Sequence, residues 1–131
     1  MKKLLTILTL TVALSACNDN KAQEKALLDD VIKLHDTVMG KDNQLVMNRM
    51  KLDTIFRETK DSAVYKLSAG LTNAESEMED WMRHFDPEQT GKSHDEVVEY
   101  LNNQKKQVVH IDSVFNVAIG NASAYLKQLP K

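Results

Sequence analysis

Towards the C-terminal end of the chain, Val97, Leu101, Gln104, Val108, Ile111, Phe115, Ala118, Ala122, Tyr125 and Leu129 recur in steps of four and three, and only Gln104 is polar. Such spacing draws an apolar seam down one face of an α-helix, and it predicts a helix over about 94–129. Ser93 and Glu96 stand three apart at its start, as a capping box requires. Asp95 and Glu96 complement the positive end of the helix dipole, and Pro130 follows the end. The same alternation runs through Val64, Leu67, Leu71, Ala74, Met78, Trp81 and Phe85, predicting a second helix over about 62–85. Asp61 or Ser62 can cap it, and Asp86-Pro87 stops it, because a residue before proline avoids the α region.

Upstream, Leu27, Val31, Leu34, Val38, Lys41, Leu45, Asn48, Leu52 and Ile55 hold one register, with polar intrusions at Lys41 and Asn48. Gly40, Asp42 and Asn43 weaken the helix in the stretch MGKDNQ. The register survives that stretch, however, so one helix over about 22–58, bent at Gly40, is the expectation. Two shorter helices flanking a turn there are the alternative. Three patterned helices with short connections predict an all-α, up-down-up antiparallel three-helix bundle with long first and third helices. A full break at Gly40 would make it a four-helix bundle. The middle helix is about 13 residues shorter than its neighbours, which at about 1.5 Å per residue leaves roughly 20 Å of them uncovered. The seam continues there through Leu27 to Val31 and Phe115 to Leu129, so either a bend covers it, or another chain does through self-association or a helical protein partner, or it stands open as an apolar groove.

Composition agrees with long helices: the chain has two prolines and four glycines, which leaves little turn punctuation. The beginning follows a different pattern. Lys2 and Lys3 precede the apolar and threonine run Leu4 to Leu14, then Ser15, Ala16 and the chain's single cysteine, Cys17. The run is too short to span a bilayer and ends in small residues, as a secretory signal peptide does. Leu14-Ser15-Ala16-Cys17 looks like a bacterial lipobox, in which cleavage before the cysteine leaves it N-terminal and acylated. Two acyl signals suffice for stable anchoring, and a lone cysteine has no intramolecular disulfide partner. The expected organisation is a lipoprotein signal peptide at 1–16, a lipidated cysteine and short tether at 17–23, and a helical domain at 24–131. Asn18 lacks the aspartate associated with inner-membrane retention, so the outer membrane of the cell envelope is the expected location. Without residues 1–16, the 17 lysines and arginines become 15 against 19 acidic residues, and the formal charge moves from -2 to -4. A mildly acidic surface of mixed sign has no pull on nucleic acid.

Candidate chemistry is sparse. There is no HExxH, GxSxG, CxxCH or glycine-rich phosphate loop, and no glutamate precedes a histidine by three residues. Enzymatic activity is not expected. If the first two helices pair antiparallel, facing residue numbers sum to about 120, which brings His35 and Met39 near Met78, Trp81, Met82 and Phe85. His84 and His94 fall at the same level and are read as solvated. Thioether and imidazole donors suit cuprous copper, and methionine with histidine can also ligate haem. The candidates are His35, Met39 and Met82. Against this stands the commoner use of methionine as filler between core aromatics, with His35 at the boundary and no cofactor at all.

VIKLHDTVM in the first helix, MEDWMRHFDPE at the end of the second and VVEYLNNQKKQVVHIDSVFN in the third, behind a lipobox, resemble small bacterial lipoproteins often labelled "viral A-type inclusion protein". The label reflects helical, coiled-coil-like composition. The resemblance covers the whole mature chain and implies a structural signature of His35, Asp36, Met39, Trp81, Met82, Phe85 and Pro87, with no catalytic residues. Members often carry proline where this chain has Gly40.

Overall fold

The structure is a computed structural model that describes the backbone of residues 12–129 and the side chains of residues 19–129. The basic residues and most of the apolar run of the expected leader lie outside the described residues, as do Pro130 and the Cys17 side chain. Among the described residues the fold is all-helical: α1 is Val12–Met39, α2 Asp42–Thr59, α3 Ser62–His84 and α4 His94–Lys127. Helix α1 packs on α4, α2 packs on both α3 and α4, and α3 packs on α4.

Two differences concern the first predicted helix. It is two helices, separated at Gly40 and Lys41, rather than one. Gly40 N–H still reaches the Asp36 carbonyl (2.9 Å), Lys41 N–H tightens onto Val38 three residues back (2.9 Å), and the α pattern resumes with Leu45 on Lys41 (3.1 Å). The interruption is therefore a single tightened turn, as a stretch of weak helix formers allows. It leaves the register intact, and Val31, Val38, Leu45 and Leu52, seven residues apart, are all fully buried. Helix α1 also starts earlier than expected, so residues 17–23, read as a short tether, are helical. Lys21, Ala22 and Gln23 are good helix formers, and no glycine or proline interrupts the weaker Asn18, Asp19 and Asn20 before them.

The ends of α3 and α4 carry the predicted signals. The Asp61 carboxylate accepts from Ala63 N–H (2.7 Å) at the start of α3, and Phe85, before Asp86-Pro87, is already extended. Ser93 and Glu96 form the reciprocal capping box, with Ser93 N–H donating to the Glu96 carboxylate (2.7 Å). Those hydrogen bonds hold Glu96 below the ordinary glutamate value.

Packing also corrects the expected overhang. Phe115, Ile119 and Ala122 are buried in one core cluster with Leu45, Leu52, Val64 and Leu71, so α2 and α3 cover the C-terminal half of α4. Ile119 is buried in place of the predicted Ala118, because a straight helix drifts off a strict seven-residue repeat. Each polar intrusion has a partner across a helix boundary. Lys41 Nζ pairs with Asp112 and donates to Asn116 (2.7 Å), and Asn48 Nδ2 donates to Ser123 Oγ (2.9 Å). Ser68, missed by the pattern, is buried with its hydroxyl donating to Asp53. Satisfied in this way, the polar groups set the relative register of the helices at little cost.

Candidate functional site

The level of the bundle that holds His35 is built from three helices. His35 lies on the last two turns of α1, and Trp81 and Met82 on the last turn of α3. The imidazole stacks on the Trp81 indole with centroids 5.7 Å apart and 29° between planes. Trp81 stacks in turn on Phe85 (4.7 Å, 21°), and Phe85 on Tyr100 of α4 (6.3 Å, 13°). Lys92 Nζ caps the row 4.5 Å from the Tyr100 ring centre. Each stacked pair adds about 0.5–1.5 kcal/mol beyond the area it buries. Trp81 is 7% exposed, and its Nε1–H donates to Gln104 Oε1 (2.7 Å), which is why the one polar seam position of α4 is polar. The Tyr100 hydroxyl accepts from Asp86 N–H (2.8 Å), tying the turn after α3 to α4.

At the open end of this row, His35 has a donor atom of its own on each side. Its Nδ1 lies 3.1 Å from Asp36 Oδ1, and its Nε2 lies 3.3 Å from Met82 Sδ. An ionised carboxylate only accepts, so the neutral tautomer that satisfies Asp36 has its proton on Nδ1 and leaves the Nε2 lone pair on the side of the sulfur. The His35 side chain is 23% exposed and Met82 40% exposed, so the pair sits at the boundary of the core.

The other residues expected at this level, and Pro87 of the sequence signature, go elsewhere. Met39 packs half-buried against the core cluster, and Met78 is buried within it. His84 Nδ1–H donates to the Asp80 carbonyl of its own helix (2.7 Å). His94 Nδ1–H donates to Glu24 of α1 (2.8 Å), so it is half-buried and paired rather than solvated. Pro87 is exposed and borders a groove of about 350 Å³ between α1, the α3–α4 connection and α4, with Leu28, Gln89 and Leu101. A second, open groove of about 480 Å³ between α3 and α4 carries His84, His110, Glu77 and Asp80. His110 Nε2 there lies 3.8 Å from Glu77 Oε2. Among the described residues, no three His, Cys, Asp or Glu side chains converge on one point. A haem with His35 and Met82 as its two axial ligands does not fit, since atoms 3.3 Å apart leave no space for a porphyrin plane between them.

Tyr100, Lys92 and Gln104 were not singled out as site residues by the sequence pattern. Only the polar seam position at Gln104 signalled that something across the helix boundary needed an acceptor. Along α1 and α4, charge pairing continues away from the site: Lys105 donates to Asp30 (2.7 Å) and, by that bond and its charge, holds Asp30 below the ordinary aspartate value. No described helix is long and apolar enough to cross a membrane. No protein-family model matches the chain, and no match was found among curated proteins or solved structures.

Proposed function

We propose that the chain is a lipid-anchored helical module of the bacterial cell envelope, held by acylated Cys17 and serving as a structural or protein-interaction element rather than an enzyme. The observation that carries this reading is the order of residues at the beginning: Lys2-Lys3, an apolar run, then Leu-Ser-Ala-Cys at 14–17. Diacylglyceryl and amide-linked chains on one residue exceed the two-signal requirement for stable anchoring. Helix α1, which runs without a break from Val12 to Met39, supports a rigid connection between the anchor and the bundle. Residues 17 to 24 would then form a shaft of about 10 Å at about 1.5 Å per residue. An outer-membrane address follows from Asn18, and palmitate is the expected amide-linked chain.

The bundle is read as up-down-up, counting α1 and α2 as one limb. Glu24–His94, Lys41–Asp112 and Asn48–Ser123 support α1, α2 and α4 rising together, and Asp53–Ser68 and His35–Met82 support α3 descending. The similarity to the small lipoproteins named above belongs to the same proposal, as does a partner that is a second copy or another helical envelope protein. Expression of the full chain in a Gram-negative host with a clickable palmitate analogue tests the anchor. Label and membrane fractionation should both disappear in Cys17→Ser. An unlabelled wild type, or a Cys17→Ser variant that stays membrane-bound, would defeat the reading.

A further inference from the structure

We propose that His35 Nε2 and Met82 Sδ are the two protein donors of a cuprous-ion site, oriented by Asp36 and shielded on one side by Trp81. Three independent features carry this. The first is the donor separation. For a tetrahedral closed-shell ion, bonds of about 2.0–2.1 Å to imidazole and 2.3 Å to sulfur put adjacent donors about 3.5 Å apart. The two atoms stand 3.3 Å apart, across 47 residues of sequence, so binding requires only a small spreading of helix-borne side chains.

The second feature is the tautomer. In the neutral tautomer that places Nδ1–H on Asp36 Oδ1 (3.1 Å), the Nε2 lone pair faces the thioether 3.3 Å away. Two lone-pair donors brought face to face gain from a cation between them. The carboxylate behind the imidazole is the outer-shell partner that metal-bound histidines characteristically have, fixing the ring and raising its basicity. The third feature is the indole. Trp81 is stacked against the imidazole (5.7 Å) and is itself clamped by Phe85 and by the hydrogen bond to Gln104, so it presents a fixed apolar wall to the face of the liganding ring.

Thioether sulfur selects the soft monovalent ion over zinc, magnesium or calcium. Because Met82 is 40% exposed, the remaining coordination positions open to solvent, and a small thiol or water completes them. Such a site exchanges its ion readily. The inference does not depend on lipid anchoring, and its test uses the mature chain with or without acylation.

Anaerobic titration with cuprous ion, and in parallel with silver as a redox-inert substitute, is followed by Trp81 emission and by calorimetry. The expected result is saturation at one equivalent with quenched emission. Affinity should fall at least about tenfold in Met82→Leu, a volume-conserving change, and by about 10–100-fold in Asp36→Asn. Met50→Leu, on an exposed face of α2, serves as the control and should titrate as wild type. Circular dichroism confirms that each variant is folded. Absence of saturable binding by the folded wild type, or unchanged affinity in folded Met82→Leu, overturns the site.

Discussion

Gln104→Leu separates pattern from structure in sign as well as size. Position 104 is the single polar residue in the seam of α4, and filling it with an apolar side chain should stabilise by up to about 0.8 kcal/mol per methylene newly buried. The Trp81 indole reverses that expectation. Its Nε1–H, in a side chain only 7% exposed, would lose its acceptor, and a buried donor without a partner costs about 1–3 kcal/mol. The net effect in the wild-type background is a loss of about 1 kcal/mol. In a Trp81→Phe background there is no donor to orphan, so the same Gln104→Leu change should be neutral or stabilising. The coupling between the two positions should therefore reach about 1–3 kcal/mol, within the range for residues in direct contact. Trp81 is the chain's sole tryptophan, so unfolding in urea is followed by far-ultraviolet circular dichroism rather than emission. With a denaturant slope of about 1–3 kcal/mol per molar, 1 kcal/mol moves the midpoint by about 0.3–1 M. An equal midpoint shift in both backgrounds would refute the reasoning, because it would mean that the hydrogen bond contributes nothing.

Other outcomes test the joints between helices. Gly40→Ala should raise stability by about 0.5–1 kcal/mol in thermal melts, since the added Cβ meets only the Asp36 and Thr37 carbonyls at 3.4 Å; a loss would mean that the tightened turn needs glycine's freedom. Lys41→Met unpairs Asp112 and should cost up to about 1 kcal/mol at low salt, with the gap to wild type narrowing near 1 M salt. For Glu96, the folded carboxyl is held low, so its contribution is present above the unfolded glutamate value and is lost as pH falls through the depressed folded one. Melting temperature against pH should accordingly flatten in that acid window for Glu96→Gln; an unchanged acid limb would count against the capping box as its source.

Element types and most boundaries were readable because local chemistry decides them. Ser93 with Glu96, Asp61 before Ser62 and Asp86-Pro87 each act within a few residues, and each does in the structure what its type predicts. The side-by-side placement of His35 with Trp81 and Met82 was readable too, from setting the first two patterned helices against each other. What escaped depends on geometry accumulated over distance. The choice of Ile119 over Ala118 reflects drift of a straight helix against a seven-residue rule. The burial of Phe115 under α2 and α3 depends on where the short helix sits along its neighbours, which spacing within one helix does not encode. The pairing of His94 with Glu24 depends on how α1 and α4 lie along each other, since both residues already fall inside the expected helices.

Helix α1 rests chiefly on one neighbour, while α2 and α3 each pack on two others and α4 on three. Its cross-links to α4, Glu24–His94 and Asp30–Lys105, stand in file ahead of the Lys41–Asp112 pair at the turn into α2. Tension applied at the N-terminal end alone therefore breaks them one after another, as a zip opens. Tension drawn between the start of α1 and the end of α4 loads all of them at once in shear. One helix thus meets the two directions of pull with different contacts, and its release in either case strips Val31 and Val38 from the shared core and His35 from Trp81.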